Sequence, residues 1–284
     1  MALFFVLAMG QAQEGQKPSR SGYVQVNGLD MYYEVHGQGK PLVMIHGSFM
    51  NIPLTWSELI PLLSQDHMLV LAEMQGHGRT KDIPRAMDYA HMADDVSGLL
   101  EHLDLEQADV LGYSMGGGVA FQMAIRHPGQ VRRLIILSGT YAHDGWWPDV
   151  EASFANMNGE MFRGSPLEQE FVRYGNDPAQ FDAYIEKVLS IDVNGYDWSG
   201  AVKKFELPVF LVLGDVDGIR YGHALDLFKA LGGGKMGDLH GMPKSRLAIL
   251  PATTHIGLIQ RTELLVPMIR DFLASDLPPT PPGF

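Results

Sequence analysis

The chain has 284 residues, 46% hydrophobic and 19% charged, a globular composition that excludes a disordered or fibrous protein. Its 21 basic and 33 acidic residues give a net charge of -12 with no basic stripe, which argues against nucleic-acid binding and against anionic membranes. Cysteine is absent, so disulfides, thiol nucleophiles and cysteine-ligated metals are excluded, while the redox compartment stays open.

The first residues read MALFFVLAMGQAQEGQKPSR, and their apolar stretch, Ala2 to Met9, is too short to span a bilayer. With small residues at Ala8, Gly10 and Ala12 it resembles the h-region of a secretory signal, although no Lys or Arg precedes it. Residues 1–20 are expected to be an export signal, giving a periplasmic or secreted product, or else a disordered extension on a cytoplasmic one. No later stretch is expected to span a membrane.

From Tyr23 the pattern alternates. YVQVNG and LDMYYEVHG predict two strands joined as a hairpin at Asn27-Gly28. PLVMIHG and HMLVLAEM are continuous apolar runs, as in strands buried on both faces, and TWSELIPLLSQ between them reads as a helix blemished by Pro61. A helix is predicted over DYAHMADDVSGLLEHLDL, then strand ADVLGYS, helix MGGGVAFQMAIRHP and strand VRRLIILSG. Residues 140–205 break this rhythm; rich in aromatics and acids, they read as a cap inserted between two core strands. LPVFLVLGD, GHALDLFKALGG, SRLAILP and RTELLVPMIRDFLASD resume it, before a Pro-rich tail at 277–284. The expected architecture is α/β: a mostly parallel sheet flanked by helices, built from residues 21–139 and 206–276.

Ser114 is the candidate nucleophile. It sits between Gly112 and Gly116 where a buried strand turns sharply into a helix, so its hydroxyl is lifted clear of the sheet and the glycines remove side chains that would clash. A serine needs a base. Of eleven histidines, His255 follows the last strand in a compact loop at the same sheet edge, whereas His91 and His102 fall on a helix and His36, His67, His127 and His143 lie at segment ends. Asp215 and Asp217, just past VFLVLG, are both plausible as the acid that orients the base. Backbone N–H groups must hold the oxyanion; Met115 offers one, and Ser48, or else Phe49, the other. His46 shapes that loop, and GHGRT at 76–80 reads as plain turn chemistry. His223 and His240 have no ligand spacing to His255, so no metal or other cofactor is expected.

MIHGSF, QGHGRT, LGYSMGG, LGDVD and TTHIG, in that order and spacing, resemble the α/β-hydrolase fold superfamily, in its cap-bearing esterase and epoxide-hydrolase-like branch, from about Tyr23 to Ser275. The resemblance implies Asp217 as the acid, by the pattern G-x-x-D from Gly214, and places the cap after LIILSG. Haloalkane dehalogenases and epoxide hydrolases of the superfamily carry aspartate at the elbow, so Ser114 implies acyl transfer instead. The expected activity is carboxylic-ester hydrolysis through an acyl-enzyme on a small-molecule substrate. C–C bond, lactone or cofactor-free perhydrolase chemistry, or a ligand receptor with slow turnover, are the alternatives. Trp146, Trp147 and Phe49 are expected to line an apolar substrate pocket. The Gly-rich loop 231–245 is a rim, a partner surface or a loose insertion, and the oligomeric state is not encoded in any pattern found.

Overall fold

Every core strand alternates its side chains between two apolar layers, and this is why the strands read as unbroken hydrophobic runs. Val43, Ile45, Val110, Leu134 and Ile136 face one layer; Leu42, Met44, Leu111, Ile135 and Leu137 face the other. A computed structural model describes residues 16–274. The expected tail and the leader's residues 1–15 lie outside the described residues.

The elements run β1 (Arg20–Val26), β2 (Leu29–His36), β3 (Lys40–Ile45), α1 (Ile52–Trp56), α2 (Ile60–Leu63), β4 (His67–Ala72), α3 (Tyr89–His102), β5 (Ala108–Tyr113), α4 (Met115–Arg126) and β6 (Val131–Leu137). Then come α5 (Pro148–Phe154), α6 (Pro166–Arg173), α7 (Phe181–Val193), α8 (Ser199–Val202), β7 (Val209–Val216), α9 (Tyr221–Ala230), α10 (Gly237–His240), β8 (Arg246–Thr254) and α11 (Thr262–Ala274). The sheet order is β1-β2-β4-β3-β5-β6-β7-β8, antiparallel at β1/β2 and β2/β4 and parallel elsewhere. Helices α3, α4 and α9 cover one face; α1, α2 and α11 cover the other.

The hairpin at Asn27-Gly28 is as the sequence implies, and other details differ. Asn27 and Gly28 both adopt positive φ (50° and 81°), as a two-residue hairpin turn of this hand requires. The helix expected through Pro61 is two, α1 and α2; proline is tolerated in a first turn, so Pro61 sits in the first turn of α2 rather than marring a longer helix. β1 opens at Arg20, and Ser19 N–H already donates to Val35 O (2.8 Å), so the fold starts before the expected boundary at residue 21. β8 continues through Pro251 to Thr254, which its place at the sheet edge permits. The Gly-rich loop carries α10 and folds back on α9, Gly233 N–H donating to Phe228 O (2.9 Å).

Between β6 and β7 the chain leaves the sheet. Phe162, Leu167, Phe181, Ile185 and Leu189 of this excursion form their own apolar cluster. Its two ends are zipped together at the neck: His143 N–H donates to Tyr196 O (2.8 Å), Trp198 N–H to Tyr141 O (2.9 Å), and Ala142 bridges to Asp197. No helix among the described residues is long and apolar enough to cross a membrane.

Candidate active site

In an open parallel sheet, a crevice forms at the carboxyl ends of strands where the winding reverses. Here β3 lies between β4 and β5, so the reversal falls between β3 and β5. The loop after β3 carries Gly47 to Asn51, and the turn after β5 is Ser114.

Ser114 adopts φ 53°, ψ -117°, an unusual conformation for a non-glycine residue, at the N-cap of α4. The turn is that tight because its neighbours touch backbone. A Cβ on Gly112 would lie 2.0 Å from Gly116 O, and one on Gly116 would lie 2.1 Å from Ile45 O. Ser114 N–H donates to Leu137 O (2.9 Å), which ties the turn to β6.

His255 comes directly after β8. Its Nε2 is 3.0 Å from Ser114 Oγ and its Nδ1 is 2.7 Å from Asp217 Oδ1. Asp217 Oδ1, an acceptor only when ionised, places the imidazole proton on Nδ1 and leaves Nε2 bare towards the serine hydroxyl. The Asp217 side chain is 0% exposed. Its Oδ2 accepts from the Ser138 hydroxyl and from Gly214 N–H (3.2 Å), and Oδ1 also accepts from Ile219 N–H (3.4 Å). Burial pushes this carboxyl up, but His255, Ser138 and Gly214 outweigh it and hold it below its ordinary value of 3.8. Asp215, the other candidate, accepts Thr253 N–H (2.9 Å) and so ties β7 to β8 beside the site.

The Met115 N–H stands at the first position of α4, where no intrahelical acceptor exists. Ser48 lies in the loop after β3, beside Gly47, where an added Cβ would lie 3.0 Å from the Tyr113 ring and 3.3 Å from the Ser114 Cβ. Phe49 has a left-handed backbone (φ 62°), and its N–H donates to His77 Nε2 (3.2 Å). Its ring meets Phe162 and Tyr184 of the excursion, each at 6.1 Å between centroids. Trp146 is buried with its ring 5.5 Å from His255. Trp147 packs on Tyr221 and is 37% exposed. The two tryptophans sit on extended backbone, where successive side chains point to opposite sides. Among the described residues no three His, Asp or Glu side chains converge as a metal site would need.

Two contacts have no sequence motif. The Tyr113 hydroxyl donates to His255 O (3.1 Å), and Ser138, with φ 49°, holds Asp217. A polar residue closing the apolar run of β6 is the one sequence sign of Ser138.

The profile of the alpha/beta hydrolase fold matches residues 40–266. The chain belongs to this family. A "2-hydroxymuconate semialdehyde hydrolase" of Pseudomonas sp. (strain CF600) is 38% identical over 132 residues, 43% of this chain and 46% of that protein, so the match spans under half of the relative's own length. A "non-heme chloroperoxidase" of Kitasatospora aureofaciens is 27% identical over 217 residues, covering 67% of this chain and 79% of that one. Among solved structures, a meta-cleavage product hydrolase from Pseudomonas fluorescens IP01 superposes with TM-score 0.71 at 19% identity, over 90% of this chain and 98% of its own. At that identity the superposition speaks to the fold alone. The family's members among these relatives are enzymes, and hydrolases prevail.

Proposed function

We propose that this hydrolase-fold protein is a serine hydrolase that cleaves carboxylic esters through an acyl-enzyme. The observation that carries the reading is the hydrogen-bonded line from Ser114 Oγ through His255 to the buried Asp217 carboxylate. In this reading His255 Nε2 takes the Ser114 proton as Oγ attacks the ester carbonyl carbon. The N–H groups of Met115 and Ser48 receive the oxyanion; the Phe49 N–H is already engaged by His77, which favours Ser48 over it. Each such donor contributes roughly 3–4 kcal/mol in the transition state. His255 then protonates the departing alkoxide. Water repeats the sequence on the acyl-enzyme, with His255 again as base, and releases the acid. Residues 140–205 serve as a cap, with Trp146 and Phe49 bordering the substrate and Trp147 standing outside it.

The likeness to a 2-hydroxymuconate semialdehyde hydrolase favours a second reading, C–C bond hydrolysis on the same three residues. Hydrolysis of p-nitrophenyl esters of graded chain length by wild type and Ser114→Ala separates these. Turnover by wild type, lost in a folded Ser114→Ala, is expected. A folded wild type inert towards every ester, but active on 2-hydroxymuconate semialdehyde, would move the C–C reading ahead; one inert to both would favour a receptor.

A further inference from the structure

The GHGRT turn reads as plain turn chemistry in the sequence, yet it sends His77 into the loop that follows β3. His77 is buried. Its Nδ1 is 2.9 Å from Gln75 O, which can only accept, so Nδ1 carries the proton. Its Nε2 is therefore bare, and accepts the Phe49 N–H at 3.2 Å. Burial lowers the His77 pKa to about 4, in keeping with a neutral ring. His46 repeats the arrangement 5.0 Å away, Nδ1 on Gly47 O (2.8 Å) and Nε2 accepting Met74 N–H (3.0 Å).

Phe49 is a bulky residue held at φ 62°, a conformation that persists only where surroundings impose it. Packing does not impose it on every side. Phe49, Asn51, Gly76, Leu167, Tyr174 and Tyr184 border a small cleft that is partly open to solvent, so the loop is not enclosed on that side. Two directional restraints act on the Phe49 turn: Met50 N–H donates to Gly47 O (3.3 Å) across Ser48 and Phe49, and from outside the loop the His77 side chain accepts the Phe49 N–H. The opposite end of the residue, its ring, lies against Phe162 and Tyr184, and Tyr184 also meets the His77 ring at 5.8 Å.

We infer that His77 is a positioning residue: by taking the Phe49 N–H on its bare Nε2 it holds the left-handed turn that presents the Ser48 N–H to the oxyanion, and it couples that donor to the seating of the cap through the Phe49 ring. This rests on the serine-hydrolase reading. Asparagine at 77 can keep the bond to Gln75 O but is too short to accept from Phe49; phenylalanine keeps the shape and neither bond; glutamine reaches with a carbonyl oxygen that can accept.

The test is ester kinetics on His77→Asn, His77→Phe and His77→Gln, with fluorophosphonate labelling of wild type and Ser114→Ala in parallel. The Asn and Phe variants should lose roughly 10- to 100-fold in kcat with KM nearly unchanged, short of the roughly 10²–10³-fold that outright loss of an oxyanion donor costs. Glutamine should restore most of it. Folded Asn and Phe variants with wild-type kcat, or three variants that fail alike, overturn the inference while Ser114 labelling stands. A wild type that neither labels nor turns over removes the parent reading, and this one with it. Should the variants not fold, ¹⁵N spectra of the wild-type protein decide: His77 must be the Nδ1–H tautomer with its Nε2 coupled to the Phe49 amide, and an Nε2–H tautomer overturns the inference.

Discussion

Asp215 and Asp217 are two residues apart at one strand end, and chemistry separates them. Asp217 is withdrawn from solvent, and its carboxylate is shared among His255, Ser138 and two backbone N–H groups. Asp215 is spent on Thr253 N–H. On the proposed mechanism, Asp217→Asn should lower kcat roughly 10⁴-fold, because an amide that donates to Nδ1 forces the proton to Nε2 and removes the base. Asp215→Asn should stay within about threefold, since it only weakens one tie between strands. The reverse order of effects, measured on folded variants, would exchange the two roles. Residues of this kind were legible to different degrees. Ser114 and His255 stand in short motifs whose backbone demands are local. Ser138 and Tyr113 act across 79 and 142 residues of chain, and nothing in the sequence beside them marks a partner that far away. Trp146 and Trp147 could not be ranked before the backbone between them was seen to be extended.

Elements were legible where one periodicity ruled, as in β3, β5, α3 and α4, and less so where proline or a sheet edge changed the rules, as at Pro61 and Pro251. The helices between β6 and β7, those of the proposed cap, were legible only as a loss of rhythm, since their apolar faces answer to each other and not to the sheet. One contact between α7 and α3 carries a prediction. The Tyr89 hydroxyl donates to Asp192 Oδ1 (3.1 Å). Burial raises the Asp192 carboxyl from 3.8 to about 6, against the opposing pull of Tyr89, His143 and His255. A raised pKa in the folded state means that this group's contribution to stability is full below about pH 3.8 and is lost as pH rises through about 6. Asp192→Asn keeps a neutral acceptor for Tyr89 and lacks that dependence. Denaturant unfolding should show wild type losing on the order of 2 kcal/mol relative to Asp192→Asn between about pH 4 and about pH 7. A difference that stays flat would mean the carboxyl is already ionised in the native protein at the lower pH.

At the scale of the whole molecule, the sheet and its two helical layers make a closed unit, and the excursion between β6 and β7, the proposed cap, leaves and re-enters it through one narrow neck. His143 and Tyr196 are hydrogen-bonded across that neck, so chain ends cut there lie side by side (2.8 Å, N to O). The apolar cluster of Phe162, Leu167, Phe181, Ile185 and Leu189 is internal to the cap, whereas Trp146, Val188 and Ile191 belong to the layer beneath it. Replacing residues 144–195 with a short Gly-Ser link should therefore leave the sheet, the elbow and the loop of His255 in place while uncovering part of one apolar layer. The expected product melts cooperatively at a lower temperature and is still labelled by fluorophosphonate at Ser114. It should hydrolyse short esters with a raised KM and lose any preference among longer chains, because the residues that would sense chain length leave with the cap. A chain that shows no cooperative melting would instead make the cap a third structural layer, required for the core to fold; a chain that keeps the wild-type chain-length preference would place specificity in the core loops around Phe49.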